Sequence, residues 1–104
     1  MSLPTVEQLR ITKGDGFIRD VDLRAFALDV LRGEAERIRQ SQDALVKAGE
    51  LEAWEPGRAR AHHGLCAAAA VFERGDFGGA KALREALITE IALHGVGVEI
   101  DAVA

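Results

Sequence analysis

At 104 residues, with 48% hydrophobic and 29% charged side chains, the chain has the composition of a globular protein and the length of one domain with a modest core. Its formal net charge of −4 argues against a nucleic-acid partner, because phosphate binding needs concentrated Lys and Arg. No apolar run is long enough to span a bilayer, no basic segment leads an apolar N-terminal core, and a lone cysteine excludes an internal disulfide. The expectation is a cytoplasmic protein with no membrane partner.

Residues 1–12 hold one short alternation, Leu9 and Ile11 between Gln8, Arg10 and Thr12, which reads as a strand. The alternative is a first helical turn that Pro4 opens over residues 5–9. Lys13-Gly14-Asp15-Gly16 reads as a turn, since its two glycines permit positive φ. Residues 17–23 then have two readings. They extend as a strand and close a β-hairpin with residues 9–12, or Asp20 caps the start of a helix.

From about residue 20 to about residue 49 runs the longest predicted helix. Leu23, Ala27, Leu31, Ile38 and Leu45 share one face, with Phe26 and Val30 beside it. The opposite face carries Arg32, Glu36, Arg39, Asp43 and Lys47 with alternating sign, a solvated and self-paired stripe. Gly33 and the Ser41-Gln42 pair weaken the middle and allow a kink. Residues 49–57 form a connector, where Pro56 serves as the first residue of the next helix. Trp54, the single tryptophan, sits there among acids, either as a lid on the core or as an interface anchor.

Residues 58–94 read as two antiparallel helices joined at Gly75-Asp76, one alanine-rich (residues 59–74) and one amphipathic (residues 78–94). Gly75 is expected at positive φ and Asp76 as the cap of the second helix. The first is apolar around more than half its circumference and small in side-chain volume, so it needs cover from two sides. The second places Ala80, Leu83, Leu87, Ile91 and His94 on one face, and Gly95 ends it. Beyond it, Val96, Val98, Ile100 and Ala102 alternate with Gly97, Glu99 and Asp101. That pattern is a strand, to be paired with residues 9–12 or with a second subunit.

Three stretches resemble known families. Gly75-Asp76-Phe77, with Ala80 after the turn and Ala68 facing it, resembles a single tetratricopeptide hairpin. Gly64, Ala67, Arg84 and Leu87 depart from that pattern, and no second copy lies upstream around Ser41. Gly14 to Ile18, with Asp22 at the final acidic position, resembles the middle of a calcium-binding EF-hand loop. Ile11 and Lys13 stand where its first ligands belong, and calcium needs six to eight oxygens. Residues 80–100 resemble the last helix and strand of cysteinyl-tRNA synthetases, with a longer spacing between the two halves, and the acidic balance counts against RNA.

His62, His63 and Cys66 are the only cluster of soft metal ligands. His62 and Cys66, four apart on a helix, have a two-ligand spacing, whereas structural zinc takes four ligands. The competing reading makes the histidines surface residues and Cys66 a small, buried, unreactive core residue. Arg58 and His63 match the Arg-x4-His spacing of HEPN-type ribonucleases, with Ala59 where that family has a polar residue. No P-loop, dinucleotide fingerprint or GxSxG is present.

The expectation is a mainly α protein: a small helical bundle of three long helices with a central antiparallel hairpin and short extended segments near both termini. The expected function is a non-catalytic protein–protein interaction module, a small adaptor, chaperone-like protein or assembly subunit, acting as a homodimer without a cofactor. Its candidate interface is Leu65, Ala69, Phe72, Leu87, Ile91 and Trp54. The alternative is a metal-binding protein or small enzyme built on His62, His63 and Cys66.

Overall fold

The computed structural model describes residues 9–13, 16–96 and 100–102. The protein is mainly α. The described elements are β1 (Leu9–Lys13), β2 (Gly16–Phe17), a 3-10 turn (Asp20–Asp22), α1 (Leu23–Lys47), α2 (Pro56–Arg74), α3 (Ala80–His94) and β3 (Ile100–Ala102). Among the described residues, no helix is long and apolar enough to cross a membrane. The elements fall into two compact units, residues 1–27 with 76–104, and residues 28–75.

The first unit contains a three-stranded sheet in the order β2-β1-β3. Both pairs are antiparallel, with Thr12 opposite Phe17 and Leu9 opposite Ala102. The C-terminal strand therefore pairs within the chain. The hairpin reading of residues 17–23 holds only as far as Phe17; the helical run begins at Asp20, but Arg19 and not Asp20 stands at its cap, with no side-chain cap bond. The EF-hand likeness does not extend to the structure. Ile11 and Lys13 belong to β1, and Asp22 is held by Arg19 at 2.9 Å, while Gly14 and Asp15 lie outside the described residues.

Leu83, Leu87 and Ile91, four apart on α3, are buried, as are Leu23 and Ala27 in the first turns of α1. Each large aliphatic side chain so buried contributes about 1.5–3 kcal/mol. Arg84 is buried beside them, and its Nη2 donates to Asp20 Oδ1 at 3.1 Å and Oδ2 at 3.3 Å. Gly95 ends α3 at φ 62°, and the Val96 N–H returns to the Ile91 carbonyl.

The junction before α3 differs from expectation. Gly75 is extended at φ −71° and does not adopt positive φ. Gly78 and Gly79 take the positive values, 77° and 154°, and α3 begins only at Ala80. Asp76 does not cap the helix: its Oδ1 accepts the Gly78 N–H at 2.9 Å, an Asx turn within the linker. Two successive glycines take positive φ with no Cβ penalty, so nothing requires Gly75 to do so.

In the second unit, α1 from Leu28 onward runs antiparallel to α2. Arg32 Nη2 meets Glu73 Oε2 at 2.8 Å near one end, and Gln42 and Asp43 meet Glu55 and Trp54 at the other. Leu31, Ala35 and Ile38 are the buried face of α1, and Leu65, Ala68, Ala69 and Phe72 that of α2. Gln42 lies on the same inward face, and its carbonyl oxygen accepts the Glu55 N–H at 3.0 Å. Gly33 and Ser41 do not interrupt α1. The antiparallel helix pair that the structure describes is thus α1 with α2, and the pairing expected within residues 58–94 falls across the boundary of the two units.

Five of the expected interface residues are core. Leu65, Ala69, Phe72, Leu87 and Ile91 are all buried in the single chain. Periodicity shows which side chains need cover, and here the chain itself supplies the cover. Val98 lies outside the described residues.

Candidate functional site

The two histidines and the cysteine of the second unit all lie on α2. Pro56 opens this helix at a position where a missing N–H costs nothing, and no acidic side chain follows until Glu73. Ala68 and Ala69 turn inward and are buried. Each residue advances about 100° around a helix, so Cys66 and Ala67 turn outward. Cys66 is therefore exposed, contrary to the buried thiol that its alanine neighbours suggested. Ala59, His63 and Val71 are exposed on the same side, Val71 by 54%.

His62 stands at the edge of this exposed face. Its ring meets Trp54 edge-on, with centroids 5.1 Å apart and planes at 89°. Trp54 is half-buried in the connector, and its indole N–H donates to Asp43 Oδ1 at 2.8 Å. The imidazole is thus held from behind by a tryptophan that is itself held. Its Nε2 lies 3.9 Å from Cys66 Sγ. The structure brings two of the three sequence-predicted ligands together. His63 is exposed about 100° further round the helix and does not join them. Among the described residues, no group of three His, Cys, Asp or Glu side chains converges to hold a metal ion. His94 belongs to the first unit and pairs with Glu90 at 3.2 Å.

Near this site, Arg39 hydrogen-bonds both carboxylate oxygens of Glu36. Those bonds, and then the guanidinium charge, hold the Glu36 carboxyl below its ordinary value of 4.5, and the charge of His62 adds to the effect. The same pairing pushes Arg39 further up. Both side chains are solvated, so the pair organises the surface of α1 more than it stabilises the fold.

A cleft of about 180 Å3 opens elsewhere on this unit, lined by Glu34, Arg37, Ile38, Ser41, Gln42 and Arg58. Glu34 is paired with Arg37 at 2.8 Å. Arg58 lines the cleft while His63 lies on the exposed face of α2, so the Arg-x4-His spacing does not assemble a shared site. Sequence reasoning missed Asp43 as the acceptor for Trp54, because Asp43 belongs to a stripe that looked wholly solvated. It also missed Gln42, whose signal was its place four residues after Ile38 on the apolar face.

No known protein family, curated protein or solved structure matches this chain.

Proposed function

We propose that this chain is a non-catalytic protein–protein interaction module that acts as a homodimer, in the manner of a small adaptor or assembly subunit. One observation carries the reading: the exposed face of α2, where the small or apolar side chains of Ala59, Cys66, Ala67 and Val71 face solvent beside His63 and between Arg60 and Arg74, with Glu73 at its edge drawn to Arg32. Small side chains there let a second helix approach to about 8 Å between axes, and a self-complementary face suits a two-fold contact. The contact uses this face, and the buried residues first expected at the interface stay in the core. The accessible thiol of Cys66 suits a reducing cytoplasm.

Light scattering over a concentration series tests this reading. The wild-type chain of 11.2 kDa is expected to double in mass. Val71→Glu and Ala67→Glu are expected to return it to the monomer with an unchanged circular dichroism spectrum, since both sites are exposed. A wild-type monomer at hundreds of micromolar would overturn the proposal.

A further inference from the structure

His62 and Cys66 form half of a tetrahedral metal site. With zinc–nitrogen and zinc–sulfur bonds of about 2.05 and 2.3 Å, two ligands on one tetrahedral zinc stand about 3.6 Å apart. The His62 Nε2 to Cys66 Sγ separation of 3.9 Å needs only a small rotamer adjustment to reach that value. The imidazole is already oriented by the Trp54 edge contact, and Trp54 by Asp43, as a ligand supported by a shell behind it should be. Cys66 is exposed, so a metal reaches it without opening the fold. What one chain lacks is the other pair of ligands, since no third His, Cys, Asp or Glu converges on the two among the described residues.

We propose that a second copy of the chain supplies that pair, and that two α2 helices close on one zinc ion through His62 and Cys66 of each. A two-fold axis through the metal converts a two-ligand helix edge into a Cys2His2 set, the closed tetrahedral shell of structural zinc. The neighbouring small residues Ala59 and Ala70 allow the close approach of helices that this needs, and Glu73 on the same edge is already held by Arg32. Binding deprotonates Cys66, and the proton passes to solvent. The inference rests on the self-association proposed above and adds its cause: zinc links the copies.

The test uses the whole chain, stripped of metal and kept in a non-thiol reductant so that a Cys66–Cys66 disulfide cannot form. Zinc chloride is titrated in while mass and heat are followed. The expected result is saturation at one zinc per two chains, with the dimer dissociation constant lowered about tenfold or more. Cobalt(II) in place of zinc is expected to give the intense visible bands of a tetrahedral thiolate centre. Cys66→Ser and His62→Gln are expected each to abolish the cobalt bands and the zinc-driven doubling, with helical content retained. A dimer equally strong in chelator and in Cys66→Ser overturns the zinc site and leaves self-association standing. A chain that stays monomeric with and without zinc overturns both. One zinc per chain without a change in mass, or no zinc bound at all, overturns the shared site.

Discussion

The indole N–H of Trp54 donates to Oδ1 of Asp43 at 2.8 Å, pinning the connector between α1 and α2 to the end of α1. Beside it, Glu55 bonds Gln42, so two consecutive connector residues are tied to two consecutive residues of the helix. Asp43→Ala is expected to cost about 1 kcal/mol by denaturant unfolding and to shift the tryptophan emission to the red. Asp43→Asn keeps an acceptor and is expected to cost less. An Asp43→Ala variant with wild-type emission would show that the bond does not hold the ring.

The first unit has a comparable tie in Arg84 and Asp20. The Arg84 side chain is 10% exposed, whereas Asp20 is half-exposed, so removing either partner has unequal consequences. Asp20→Ala leaves a nearly buried guanidinium without its carboxylate and is expected to cost about 2 kcal/mol, at the lower end because Asp20 is solvated. Arg84→Met keeps the packing volume, needs no counter-charge and is expected to cost less. The double variant should be no less stable than Arg84→Met alone. Urea midpoints of the three variants check this ordering.

Glycine replacements separate the observed linker from the expected turn. Gly78→Ala and Gly79→Ala force an L side chain to φ 77° and 154° and are each expected to cost about 1 kcal/mol or more. Gly75→Ala, at φ −71°, is expected to be close to neutral. Equal losses at Gly75 and Gly79 would contradict the backbone described here.

Cys66 is expected to react with a thiol reagent in the native protein at nearly the rate of the denatured chain, because it is exposed. Saturating zinc should slow that reaction if the thiolate is ligated. A thiol that labels only after unfolding would place it back in the core.

The pair of Glu36 and Arg39 sets a pH dependence of definite sign. The hydrogen bonds from Arg39 hold Glu36 below its ordinary value of 4.5. Its stabilising contribution is therefore complete above that value and is lost as pH falls through the lower, folded-state value. Carboxyl NMR titration should show Glu36 ionising below its ordinary value of 4.5, and Arg39→Gln should raise it. An unchanged titration in Arg39→Gln would remove the assigned cause.

Three elements were legible in the chain before any coordinates. The apolar period that runs through Leu23, Ala27 and Leu31 determined α1, and Pro56 and Gly95 marked the start of α2 and the end of α3. The alternation at Leu9 and Ile11 left a strand open beside a helical turn begun at Pro4, and the structure decides for the strand β1. Such features are local: helix period, a missing N–H and a left-handed glycine act within a few residues, so residue type and spacing suffice to find them. Tertiary structure alone decided that β3 pairs with β1, that α1 lies antiparallel to α2 within the second unit, and that Gly78 and Gly79, not Gly75, take positive φ. It also decided which small residues of α2 face out. On a helix of alanines with little hydrophobic contrast, the stripe of Leu65, Ala69 and Phe72 announces the buried side but not how far round the helix it reaches. Only the packing of Leu65 and Phe72 into the core turns Ala68 inward and leaves Cys66 beside His62 in solvent.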